Sequence, residues 1–436
     1  MALLAAGLLV PTLFRVDRAS RLWLLGLTFF GSAWAPGLAV LGALAALGGV
    51  WSDAPVPVVL GSVAGAIGAH TTWAVTRSTD AAFAQAFGSQ WRRRLPPHAE
   101  RPMLQQRWDW GVPRAPRVLL EKDVVFGTAG PNGRPLRCDI WRPPEGTAPT
   151  GLAVVYLHGG AWYLMDKDLG TRRFFRHLCA LGHVVIDVGY RPCPQADIVG
   201  MVHDVRRAVA WVKARSASWG VSKERVVLMG GSAGGHLALL AAYGTRDEVL
   251  TPPELRVEDP SVLGVVSYYG IVDLLAYDAF ARRFQPEEGG GELPPRPPPD
   301  AFTERVFESI VGWRLDPELL PPLPPHWAMM RQLIASGRVP TDAEWQRASP
   351  LHLVHEGCPP TLHFQPQFDH LQPVESGRAL KEHLTKLGVP CVYVEYARTL
   401  HAFDLLVPPL VSPAAQSALF DVERFLSLLA KGPPVS

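Results

Sequence analysis

Apolar positions follow two different regimes along this chain. From Leu22 to Ser52 no residue carries a charge, and after the single Asp53 a second uncharged run extends from Ala54 to Thr76. Each run exceeds the roughly 20 apolar residues a bilayer-spanning helix needs. Helices of a soluble core show polar positions at a 3.6-residue period, which these runs lack. They predict an N-terminal transmembrane helical hairpin over residues 1–76, with spans at about 22–52 and 54–76. Pro36-Gly37 is expected to kink the first span, and Gly61 and Gly65 to let the second approach it closely. Trp23, Trp51 and Trp73 stand near the run ends, as interfacial aromatics do. Arg15, Arg18 and Arg21 precede the hairpin, and Arg77 with Arg92-Arg93-Arg94 follows it. By the positive-inside rule both flanks, and the rest of the chain, are expected on the cytoplasmic side. Met1 to Phe14 is too short to span, contains Pro11 and lacks the basic start of a signal peptide, so it is expected to lie in the interface.

Residues 77–117 read as a connector with one or two short helices. From Val118 the pattern changes to that of a soluble α/β protein. Asp123 to Phe126 and Leu136 to Trp141, joined through Pro131-Asn132-Gly133, predict a β-hairpin. Leu152 to Leu157, His183 to Val188, Val226 to Met229 and Val262 to Tyr268 are continuous apolar runs of strand length. Val202 to Ser216 has apolar residues at helical spacing. Strands alternating with helices imply a mostly parallel sheet flanked by helices, here over residues 118–432.

Composition narrows the field. The 436 residues hold 42 basic and 40 acidic side chains, for a net charge of +2, so no global field selects nucleic acid. Cys138, Cys179, Cys193, Cys358 and Cys391 are scattered without a CxxC pair, which fits a reducing compartment and predicts no metal site.

Gly230-Gly231-Ser232-Ala233-Gly234 lies directly after one predicted strand and before the apolar helix Leu237 to Tyr243. A strand-to-helix turn this sharp strains the serine backbone and leaves no room for neighbouring Cβ atoms, so it presents the Ser232 hydroxyl at the carboxyl edge of the sheet. His158-Gly159-Gly160-Ala161-Trp162 follows another strand. Its Gly159, Gly160 and Ala161 amides, joined by that of Ala233, are candidates to hold the oxyanion formed when a serine attacks a carbonyl.

With these two motifs in this order the chain resembles the hormone-sensitive-lipase-like group of α/β-hydrolases, with its HGG-type oxyanion turn and GDSAGG-type elbow. Tyr190-Arg191-Pro192 followed by His203-Asp204 resembles the stretch between them. Ala161 replaces the commoner third glycine, which brings HGGxW closer to arylformamidases, and Gly231 replaces the acidic residue before the nucleophile. The resemblance implies the order nucleophile, acid, histidine. Asp369, in Phe368-Asp369-His370-Leu371-Gln372-Pro373-Val374, matches the family's D-x-L-V-P loop, with Glu375 as the alternative acid. Downstream, His370 adjoins the acid and His383 falls inside the helical run Glu375 to Leu387. His401 follows the strand Cys391 to Tyr396 and opens an HAF-type ending. His236 reads as packing, and Asp404 is excluded as the acid by its position after the histidine.

An insertion over about 275–348 is too long for a plain loop. Phe284 to Asp300 is Pro/Gly-rich, while Phe302 to Trp313 and His326 to Ala335 have helical spacing. The insertion is expected to form a lid, together with the connector helices, and Trp162, Trp313, Trp327, Met329 and Met330 to line an acyl pocket. The whole predicts a membrane-anchored serine hydrolase that cleaves carboxylic esters through Ser232, His401 and Asp369, without metal or cofactor, with a small-molecule or lipid ester and the bilayer as its partners. Arylformamidase, amidase and prenylcysteine methylesterase activities are the near alternatives. A membrane-held binding protein that retains only the fold is the distant one.

Overall fold

The continuous apolar runs become strands buried on both faces of one sheet. The computed structural model describes residues 1–15, 24–97, 102–111, 116–130, 133–168, 170–284, 325–404 and 412–431. Its strands are β1 (Leu119–Ala129), β2 (Arg134–Arg142), β3 (Ala153–Leu157), β4 (Val184–Gly189), β5 (Val226–Gly231), β6 (Gly264–Tyr268), β7 (Thr361–Pro366) and β8 (Cys391–Tyr396). They form an eight-stranded sheet in the order β1-β2-β4-β3-β5-β6-β7-β8, antiparallel at the β1–β2–β4 end and parallel from β4 to β8. Alternate residues feed opposite layers: Ala153, Val155 and Leu157 of β3 face one core, and Val154 and Tyr156 the other.

Helices α1 (Ala2–Leu9), α2 (Leu24–Ala33), α3 (Ala35–Trp51), α4 (Pro55–Val75) and α5 (Asp80–Phe87) precede the sheet. Within it follow α6 (Arg172–Ala180), α7 (Ile198–Arg215), α8 (Ala233–Tyr243), α9 (Leu274–Ala281), α10 (His326–Ala335), α11 (Asp342–Arg347), α12 (Val374–Lys386) and α13 (Pro413–Ala430). α7, α8 and α10 cover one face of the sheet, and α6 and α13 the other.

The helix that begins at Pro55 is long and apolar enough to cross a membrane. The first apolar run bends just before the expected Pro36-Gly37 position, and more sharply than a kink. It breaks at Trp34 into α2 and α3, which meet at 84°. Pro36 sits in the first turn of α3, where its missing N–H is harmless, so the proline starts a new helix instead of bending an old one. α3 packs on α4 through small residues. A Cβ on Gly42 would lie 2.7 Å from the Gly61 carbonyl oxygen, and one on Gly68 2.6 Å from that of Ala35. Gly65 has more room, 3.6 Å to the nearest atom, so Gly61 and Gly68 make the close approach. Val40, Leu44, Leu47, Val50, Val56, Val59 and Val63 remain exposed on the outer faces of the pair. α1 is not left alone, since Ala5 and Leu9 are buried against Ala35, Leu38 and Ala64.

The connector, in its described residues, straps α13 down. Arg107 bonds Asp421 through both carboxylate oxygens at 2.6 and 2.7 Å, the Leu104 N–H donates to Glu423 at 2.8 Å, and Arg424 returns a bond to the Leu104 carbonyl at 2.8 Å. Glu423 also meets His177 of α6. Phe83 of α5 and Trp91 stack at 4.7 Å inside the same core, which also takes in Val75 at the end of α4.

Candidate active site

β5 delivers its last residues into a turn that only small side chains can make. A Cβ on Gly230 would lie 2.5 Å from the Gly234 carbonyl carbon and 2.7 Å from the Leu157 carbonyl oxygen. Ser232 takes φ +54 and ψ −122, a strained conformation for a residue with a side chain, and its N–H donates to the Tyr268 carbonyl at 2.9 Å. α8 starts at Ala233, so that amide belongs to a first turn whose N–H groups have no acceptor within the helix.

Three strand ends converge on this hydroxyl. His401, beyond β8, brings Nε2 to 2.8 Å from Ser232 Oγ. Its Nδ1 lies 2.9 and 3.2 Å from the two carboxylate oxygens of Asp369, which follows β7. Asp369 also accepts the Leu371 N–H at 2.9 Å and the Gln372 N–H at 3.3 Å. Burial works against its charge, but His401 opposite and these donors hold the carboxyl below its ordinary value. Glu375, the alternative acid, is exposed in the first turn of α12. His383 is spent on the Ala379 carbonyl of its own helix. His370 touches His401 edge to face at 6.2 Å, and burial pushes its pKa down to about 4.

The turn after β3 closes over the elbow. A Cβ on Gly159 would lie 3.5 Å from that of Ser232, and Gly160 takes φ +120, a conformation reserved for glycine. Ala161 and Trp162 continue at φ +52 and +63. His158 stacks on Tyr190 at 4.3 Å, and Tyr190 donates back to the His158 carbonyl at 3.0 Å. Arg191 grips Asp204 through two bonds of 2.7 and 2.8 Å, which anchors the Tyr190 loop to α7. The Tyr190-Arg191-Pro192 and His203-Asp204 stretches thus brace the turn.

Of the five residues expected in an acyl pocket, four can be placed, and Trp313 lies outside the described residues. Trp162 is 2% exposed, and its indole N–H donates to His236 Nδ1 at 3.0 Å while His236 Nε2 donates to the Ala348 carbonyl at 2.8 Å. It is an interior prop of the glycine turn. Trp327 is 41% exposed on α10 and stacks under Arg331, whereas Met329 and Met330 point into the core. The helical spacing told the two faces of α10 apart but not which of them faces solvent. Sequence reasoning also passed over Tyr269, whose ring lies 4.5 Å from that of His401 and whose hydroxyl donates to Asp404. The only sequence signal for this pair is an aspartate two residues after the histidine's Ala402.

Residues 138–290 match the BD-FAE family model. Over 310 residues, 70% of this chain, the sequence is 30% identical to the probable carboxylic ester hydrolase LipM of Mycobacterium tuberculosis, of which it spans 60%. Esterase LipQ of the same organism is 27% identical over 348 residues, covering 77% of this chain and 72% of LipQ. Thermogutta terrifontis esterase 2 phosphonylated by sarin superposes with a TM-score of 0.51 at 21% identity, covering 72% of this chain and 95% of that one. The chain is an α/β-hydrolase in fold. In this α/β-hydrolase the helices before residue 76 lie before the span of the family match.

Proposed function

We propose that this α/β-hydrolase is a carboxylic ester hydrolase working through an acyl-enzyme. The observation that carries the proposal is the unbroken relay from Ser232 Oγ through His401 to Asp369, buried beside the glycine turn. With Nδ1–H donated to Asp369, His401 Nε2 is left as the base that takes the Ser232 proton as Oγ attacks the acyl carbon. The amides of Gly159, Gly160, Ala161 and Ala233 are the donors for the oxyanion, and Asp369 stabilises the imidazolium without taking its proton. His401 then protonates the leaving alcohol, and water repeats the cycle on the acyl-enzyme. The exposed apolar faces of α3 and α4 support a membrane anchor, and the arginines in the sequence on both flanks support a cytoplasmic active site. The named relatives support an ester over an amide, and an assembled relay favours an enzyme over a scaffold.

A fluorophosphonate probe tests the reading directly. The wild-type chain is expected to be labelled and Ser232→Ala not. Ser232→Ala and His401→Ala should each lose about 10⁴- to 10⁶-fold in kcat on p-nitrophenyl esters, with the double variant hardly worse. Additive losses, or persistent labelling of Ser232→Ala, would refute it. Hydrolysis of N-formylkynurenine or a prenylcysteine methyl ester above that of simple esters would move the assignment to those substrates.

A further inference from the structure

The elbow carries Gly231 where GDSAGG-type sequences carry an acidic residue, and a neighbouring side chain fills the space. A Cβ built on Gly231 would lie 3.3 Å from Tyr269 Oη and 3.4 Å from its Cε2. Tyr269 follows β6 at φ +40, a conformation rare for a bulky residue and kept only where the surroundings enforce it. Those surroundings are explicit. The Tyr269 N–H donates to the Phe364 carbonyl at 2.8 Å, its own carbonyl accepts from Gln372 Nε2 at 2.9 Å, and its hydroxyl donates to the Asp404 carboxylate. Its ring lies 4.5 Å from the His401 imidazole, tilted by 52°. The Gln372 N–H in turn bonds Asp369. One tyrosine therefore touches the nucleophile, acid and histidine loops at once, and its hydroxyl holds a carboxylate on the side where the elbow has none.

We propose that Tyr269 and Asp404 are a positioning pair for His401, which stands in for the acidic side chain missing at Gly231. The inference rests on the roles given above to Ser232, His401 and Asp369. Tyr269 fixes the plane of the imidazole, and Asp404 fixes Tyr269. The titratable groups facing Asp404 are Tyr156, Tyr268, Tyr269 and His401. Burial pushes the Asp404 carboxyl up to about 6, against the opposing pull of the Tyr269 hydroxyl and His401. At neutral pH it is thus mostly ionised, a second negative charge that favours the imidazolium formed during attack.

The test uses the full chain in detergent, with p-nitrophenyl butyrate as substrate and active sites counted by fluorophosphonate titration, so that kcat refers to competent serines. Tyr269→Phe and Asp404→Asn are each expected to lower kcat about tenfold or more while KM stays within about twofold, because misorientation of a catalytic group is felt in the chemical step. In Asp404→Asn the acid limb of the kcat/KM profile should move to lower pH, a change that a merely structural defect would not produce. The decisive arm is Gly231→Asp. In the wild-type background it should be harmful, since the new side chain meets Tyr269 and faces Asp404. In the Tyr269→Phe/Asp404→Ala background it should restore activity several-fold. Equal effects of Gly231→Asp in both backgrounds, or wild-type kcat and pH profile in Tyr269→Phe and Asp404→Asn, would overturn the pair. Turnover retained by Ser232→Ala would instead overturn the assignment of the site itself.

Discussion

The bond between Trp162 and His236 is the one whose removal is most informative. Both side chains are buried, and the chain of bonds runs from the indole N–H to His236 Nδ1 at 3.0 Å and from His236 Nε2–H to the Ala348 carbonyl at 2.8 Å. Trp162→Phe keeps most of the ring and leaves one ring nitrogen without a donor, a cost of about 1–3 kcal/mol. His236→Leu strands both the indole N–H and the Ala348 carbonyl, for about 2–6 kcal/mol, a large part of an ordinary domain's stability. The double variant strands only the carbonyl, so the two changes should couple by the cost of two stranded groups, about 2–6 kcal/mol. Because Trp162 belongs to the glycine turn, at φ +63, each single variant should also lower kcat more than it raises KM. Denaturant titration of the detergent-solubilised chain gives the stabilities, and ester hydrolysis gives the rates. If the two losses add to within about 0.5 kcal/mol, or if both variants keep wild-type kcat, the bond does not brace the turn.

Acid should destabilise the fold in a defined window. Burial pushes His236 and His363 down to about 4, and neither side chain is accessible. Above pH 6.5 both rings are neutral folded or unfolded, so stability is whole. As pH falls toward 4 the unfolded chain takes up protons that the fold refuses, at up to about 3 kcal/mol for each ring. Tm measured from pH 7.5 to 4.5 should therefore fall below pH 6.5, and less steeply in His363→Gln; a flat profile would contradict neutral burial. For topology, a cysteine introduced at Asp53 should react with an impermeant maleimide only from the side opposite to a reporter fused after Ser436. Labelling of both from one side would sink the two-span reading and leave α2 and α3 as a re-entrant pair.

The strands were legible because a strand buried on both faces must be apolar throughout, and turn residues bound these runs at strand length. The positions of Ser232 and His401 were legible because a sharp strand-to-helix turn needs glycines and because, of the late histidines, His370 adjoins the acid and His383 lies within a helix, which leaves His401 after β8. What escaped depends on distant partners. Arg107 looks like any surface arginine until Asp421 appears beside it, more than 300 positions later. The break at Trp34 escaped because a proline in an apolar run reads equally as a kink or as the first turn of a new helix. Tyr269 escaped because a tyrosine after an apolar strand carries no motif, and its meaning lies in the side chain that Gly231 lacks.

The described part of the insertion is bonded to the catalytic loops at several points. Tyr163, next to Trp162 in the glycine turn, donates to the Met329 carbonyl at 2.9 Å, which ties α10 to the turn. His326 at the start of α10 bonds Asp278 of α9 at 2.8 Å, and the Ser349 hydroxyl accepts the Leu274 N–H at 3.0 Å. Ala348, just after α11, accepts from His236. Leu333 and Ile334 meanwhile sit in the same core as α7 and α8. A cover meant to swing would keep few buried contacts, because local opening must cost little. Here residues 325–349 are bonded to the glycine turn, to α8 and to α9 at once, so moving them would disturb the amides that receive the oxyanion. Residues 325–349 thus tie the glycine turn to α8 and α9, and Trp327 lies on the exposed side of this segment.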